Sequence, residues 1–119
     1  MICLPSMKNL FKTKAVTIDI SENTTVSTAV DTDGLLLAGI IFPAAMTGTA
    51  VTFQVASTNT GGTFKALKET DGSDVTYTVT ADSHVRVDPS GWAGVGAIKV
   101  VSGTAEVADR VIKLVFHSA

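Results

Sequence analysis

The sequence predicts an all-β fold, a single-domain antiparallel β-sandwich with an extended N-terminal arm. Three observations predict it. Short runs of β-branched and apolar residues alternate with polar ones at period two, the pattern of strands with one dry and one wet face. Turn signals built from Gly, Asp, Asn, Ser and Pro separate these runs about every 8 to 12 residues. No stretch reads as a convincing helix; residues 105–109 have room for one helical turn at most.

The first 14 residues differ from the rest. They carry Lys8, Lys12 and Lys14 together with Ile2, Leu4, Met7, Leu10 and Phe11, and they do not alternate. A frayed terminus is one reading. The other is an arm that docks its apolar side chains on a neighbouring subunit. Residues 15–20 (AVTIDI) are the first clear strand, with Val16, Ile18 and Ile20 on one face. A turn follows at 21–23, and 25–30 form a weaker strand or an extended link. Asp31, Thr32, Asp33 and Gly34 make a further turn, with Gly34 free to take positive φ.

Residues 35–42 (LLLAGIIF) are apolar throughout, which suggests a strand covered on both faces. One face would fill the sandwich, and the other would meet a partner subunit or the arm. Gly39 within the run marks a bulge or a close backbone approach, and Pro43 ends it. Residues 50–56 alternate cleanly, with Val51, Phe53 and Val55 inward. Residues 57–62 (STNTGG) are the most loop-like in the chain. A short strand at 63–67 leads to the hairpin signal Asp71-Gly72. Beyond it, 75–116 holds four alternating runs, around Tyr77, Val85, Ile98 and Leu114. Four runs cannot stand as a bare sheet, because their dry face needs a cover. The total of about eight strands points to a jelly roll, with the strand order left open.

The 119 residues suffice for one domain. The apolar share of 45% suits a packed core and excludes disorder. A net charge of −2 argues against a general nucleic-acid binder and against attraction to anionic membranes. Cys3 is the single cysteine, so no intrachain disulfide is available. No signal peptide is evident, and the longest apolar run is about half of what a bilayer-spanning helix needs. The expectation is a soluble protein made in a bacterial cytoplasm.

Chemistry-bearing constellations are sparse. His84 and His117 form no metal-binding spacing. Asp82, His84 and Asp88 are close in sequence, but no nucleophile elbow accompanies them, and His84 reads as a residue on a wet strand face. The Asp31–Gly34 tetrad resembles the opening of a calcium loop, yet three leucines follow where oxygen ligands belong. Asp71, Asp74, Asp82, Asp88 and Asp109 sit where turns explain them. Asn23-Thr24-Thr25 matches a glycosylation triplet with nothing to suggest secretion. Trp92, the only tryptophan, is flanked by Pro89, Gly91 and Gly94. It reads as a plug at one end of the sandwich or as a platform for a sugar or subunit contact.

Four segments carry a resemblance. They are TVTA at 78–81, DPSGWAG at 88–94, GAIKVVSGTA at 96–105 and ADRVIKLV at 108–115. Together, over the last third of the chain, they resemble the jelly-roll decoration (cement) proteins of tailed phages, which bind the outside of the capsid. The resemblance implies a non-enzymatic virion protein on the capsid exterior that bridges shell subunits. It implies the major capsid protein as partner and a homo-oligomer, a dimer or trimer on a symmetry axis. No cofactor, metal site or catalytic residue follows from it. The candidate interface residues are Leu4, Leu10, Phe11, Leu35, Leu37, Ile41 and Trp92. An alternative is a glycan-binding module of a phage tail or fibre, which requires Trp92 or the 57–62 loop to be exposed. A small hydrolase has no positive support.

Overall fold

The computed structural model describes residues 12–59 and 61–118. Nine strands form two antiparallel sheets. They are β1 (Thr13–Ile20), β2 (Val30–Asp31), β3 (Leu36–Ile41), β4 (Ala50–Ala56), β5 (Lys65–Ala66), β6 (Tyr77–Thr78), β7 (His84–Arg86), β8 (Ala97–Ser102) and β9 (Arg110–His117). Sheet one runs β1-β9-β3-β7. Sheet two runs β2-β8-β4-β5, with β6 also on β4.

The pairings nest. β1 pairs with β9, β2 with β8, β3 with β7, and β4 with β5 and β6. A long hairpin rolled on itself gives this order, which is the jelly roll. The four runs expected at 75–116 therefore do not share a sheet. β6 and β8 belong to sheet two, β7 and β9 to sheet one, and each pair helps cover the other. The fourth rung of the roll is split. β6 pairs with Ala50–Val51 and β5 with Gln54–Val55, so both lie along one edge of β4. Between them the chain leaves the sheet as the hairpin closed by Lys68 and Asp74, with Gly72 at φ 91°.

The core follows the alternation. Ile18 and Ile20 of β1, Phe53 of β4, Ile98 and Val100 of β8, and Ile112, Leu114 and Phe116 of β9 are buried between the sheets. Phe53 is central. The Tyr77 and Trp92 rings meet it edge-on, at centroid distances of 5.6 and 4.9 Å. Such pairs add about 0.5–1.5 kcal/mol each beyond area burial.

Three departures have local causes. The weak strand at 25–30 is broken at Ser27, whose Oγ takes the Val100 N–H at 2.8 Å. The Ser27 N–H still donates to Val100 O at 2.9 Å, but the side chain takes the return bond, leaving Val26 as an isolated bridge and β2 only two residues long. In β3 the register against β9 shifts between Leu37 and Gly39, a bulge at the predicted glycine. Among the described residues β3 is fully covered on one face only: Leu37 and Ile40 are buried, while Leu36 and Ile41 lie half-buried on the outer face. β1 begins at Thr13, so two residues assigned to the arm are strand.

Candidate functional site

The roll gathers its loops at two ends. At one end, the β2–β3, β4–β5 and β7–β8 connections surround an open cleft of about 450 Å³. Asp31, Thr32 and Asp33 form one wall and Ser57, Thr58 and Asn59 the opposite one. The walls are held together by backbone and hydroxyl bonds. The Thr32 hydroxyl donates to the Val95 carbonyl at 2.9 Å, the Thr32 N–H donates to Gly96 O, and the Gly96 N–H donates to Ala56 O. A Cβ on Gly96 would stand 2.4 Å from the Thr58 carbonyl oxygen, so only glycine permits that approach.

Asp33 and Gly34 both take positive φ, 54° and 78°, which makes the tetrad a tight turn, as expected. The Lys14 ammonium reaches over from β1, pairing with the Asp33 carboxylate and donating to the Asp31 carbonyl at 2.9 Å. Among the described residues, no group of His, Cys, Asp or Glu is arranged to hold a metal ion.

Trp92 closes a 3-10 turn, Pro89–Trp92, whose start is capped by Asp88 through the Ser90 N–H at 3.1 Å. The turn drives the indole inward. Only 2% of Trp92 is exposed. The plug reading describes this placement, and Trp92 offers no open platform or contact surface. The 57–62 loop does meet the exposure condition at Ser57, Thr58 and Asn59.

At the other end lies a residue that the sequence did not single out. Glu106 has a side chain with 0% exposure, and its carboxylate accepts four hydrogen bonds. They come from the Thr47 N–H (2.8 Å), the Gly48 N–H (2.9 Å), the Ser102 hydroxyl (2.7 Å) and Arg110 Nε (2.9 Å). Its backbone bonds Asn23 and Thr24 as well. One residue thus ties three connections together: its side chain joins β3–β4 to β8–β9, and its backbone joins β1–β2. Burial alone would raise its pKa. The Thr47 and Gly48 amides, then Ser102 and Arg110, outweigh burial and hold it down to about 2 from the ordinary 4.5. Every acceptor site is used, so this is a structural clamp. The only sequence signal was a Glu four residues before an Arg in a Gly/Ala/Thr loop.

The sequence-assigned interface residues scatter. Leu35 is half-buried at the cleft, and Ile41 is half-buried on the outer face of sheet one. Leu37 is 0% exposed and packs in the core, so it presents no contact surface. Leu4, Leu10 and Phe11 lie outside the described residues. His84 is exposed and lies against Gly39, on the wet face as read. On the outer face of sheet one, Leu36 lies opposite His117 and Ile41 opposite Lys113, with Val115 opposite Gly39 between them; Val111, 52% exposed, lies opposite Asp19 of β1.

No family model matches the chain, and no curated protein matches it. In structure it is similar to the SPBc2 prophage-derived protein YomS, at a TM-score of 0.52 and 15% identity, over 90% of this chain and 96% of that one. Looser likenesses are to the pilus subunit of Bacillus endospore appendages (TM-score 0.41, 15% identity, 92% and 89% covered) and to a chain of the cyanophage Pam1 capsid asymmetric unit (TM-score 0.38, 15% identity, 100% and 94% covered). At such identity the YomS likeness speaks to the fold: a jelly roll of this size, shared over nearly the whole of both chains.

Proposed function

We propose that this chain is a non-enzymatic virion structural protein that binds the outer surface of a phage capsid and stabilises it by bridging shell subunits. One observation carries the reading: the fold is shared with a prophage-derived protein over 90% of this chain and 96% of that one. The segments within 78–115 that resemble decoration proteins lie on β6–β9 and their turns. The outer face of sheet one, where half-buried Leu36, Ile41 and Val115 and exposed Val111 are interspersed with Lys113 and His117, offers a rigid surface for a shell contact. A protein that binds only the assembled shell stabilises it by mass action. The partner is then the major capsid protein, and the location is the capsid exterior.

The test is co-sedimentation of the purified chain with shells of the encoding phage that lack it. Saturable binding and a raised temperature of shell disruption are expected. A chain that stays in the supernatant at all concentrations ends the proposal. A second reading, glycan recognition on a tail or fibre, is favoured by the exposed Ser57–Asn59 wall of the cleft. A glycan-array signal lost on mutating Asn59, without shell binding, selects it.

A further inference from the structure

We propose that two copies of this chain pair edge to edge through β1, with Ala15 on the two-fold axis, joining two four-stranded sheets into one of eight strands. Among the described residues β1 is the outer strand of sheet one. It pairs with β9 over all eight residues with no register shift. In an antiparallel pair, backbone groups point alternately toward and away from the neighbour. Lys12 bonds Ser118 on the β9 side, while the Asp19 N–H and carbonyl point the other way, to Thr28. By the same parity Thr13, Ala15 and Thr17 turn their N–H and carbonyl groups to the open edge.

Native proteins usually blunt such an edge with proline, a bulge or shortness. The other outer strands here are short: β7 has three residues, and β2, β5 and β6 have two each. β1 has eight residues, no proline and no bulge.

The register selects a second copy as occupant. With Ala15 opposite Ala15, each Thr13 falls opposite the partner's Thr17, and each of these pairs exchanges both its N–H···O bonds. A register centred on Thr17 would need the Asp19 groups, which Thr28 already occupies. Charges also fit. Lys14 falls opposite Val16, and its ammonium is already neutralised by Asp33, so no like charges face each other. The outward side chains at the axis are alanine and threonine, small enough to leave the approach clear.

The proposal does not rest on shell binding, and its test contains no shell. Sedimentation equilibrium of the full chain is expected to give a mass about twice 12.3 kDa. Ala15→Pro removes an N–H that β9 does not use, and is expected to raise the dimer dissociation constant at least about tenfold. Ala15→Glu sets two carboxylates opposite each other without altering the backbone, and is expected to weaken the dimer in the same direction, which covers the case in which the proline variant does not fold. In a Cys3→Ser background, Ala15→Cys is expected to form a disulfide-linked dimer, since paired Cα atoms lie about 5.5 Å apart. Thr17→Cys is expected not to, because its symmetry mate is about 14 Å away in this register. A monomer at all concentrations, a dimer indifferent to Ala15→Glu, or cross-linking by Thr17→Cys in place of Ala15→Cys would overturn the proposal.

Discussion

The Glu106 carboxylate accepts the Gly48 N–H at 2.9 Å, across 58 positions of the chain. The contact joins the β3–β4 and β8–β9 loops, each of which crosses from one sheet to the other. A β-sandwich must close both open ends of its core, and loops do this with exposed backbone that wants partners. Here one buried carboxylate supplies them. Arg110, on the first residue of β9, balances its charge and shares the Thr47 hydroxyl as a further partner.

This clamp makes stability depend on acid. Because folding lowers the Glu106 pKa, its contribution is complete above the unfolded value near 4.5 and fades as pH falls toward about 2. The span corresponds to about 3 kcal/mol. Urea unfolding at pH 7, 4 and 2.5 is expected to show the midpoint falling through that window. Glu106→Gln should cost about 3 kcal/mol at pH 7 and flatten this part of the acid limb. Glu106→Ala should cost about 3–5 kcal/mol, because Arg110 and two amides lose their acceptor. An unchanged acid limb in the glutamine variant would assign the dependence to other carboxylates.

Gly96 and Gly39 are both crowded, but by different atoms. A Cβ on Gly96 meets the Thr58 and Ser57 carbonyl oxygens at 2.4 and 2.8 Å, and backbone cannot step aside. A Cβ on Gly39 meets His84 Nε2 at 2.2 Å, and that ring is exposed and free to swing. Gly96→Ala is expected to cost about 2–3 kcal/mol and Gly39→Ala about 1 kcal/mol or less. Thermal melts of the two variants check the ranking; equal losses would mean that the Thr58 loop yields as easily as a side chain.

The alternating strands were readable because period two survives wherever one face is wet, as in β1, β4 and β9. Leu37 was misplaced among surface residues for the converse reason: an unbroken apolar run such as 35–42 has no period to say which side chains point inward. Strand order was unreadable, because nested pairings join residues such as Val16 and Leu114 that share no local signal. Ser27 and Glu106 were missed together. Each matters through long-range bonds from backbone N–H groups, one for Ser27 and two for Glu106, and neither residue type announces such partners in sequence.

Trp92 provides an internal probe of the plugged end. Its ring sits 4.9 Å from Phe53 and is sealed from water. Its fluorescence is expected to be blue-shifted relative to the unfolded chain, resistant to iodide quenching, and unmoved by added sugars. Trp92→Ala should cost about 3–5 kcal/mol. Ready quenching in the folded protein would mean that the 3-10 turn does not hold the indole inward.

Two residues of the expected arm, Thr13 and Lys14, belong to β1. Thr13 and Lys14 pair with His117 and Phe116, and Lys14 also fixes Asp33 at the cleft wall. Removing residues 1–11 spares every one of these contacts, so the melting temperature should change by no more than about 2 °C. Removing residues 1–14 takes two rungs from β1 together with the Lys14–Asp33 pair, and should lower it by several degrees, about 4 °C per kcal/mol lost in a chain of this size. The shorter truncation is then the one to carry into shell co-sedimentation. If the arm docks on the shell, binding weakens while the fold is intact. If binding is unchanged, the contact lies on the folded body, and the outer face of sheet one, with Leu36, Ile41, Val111 and Val115, is the surface to mutate next.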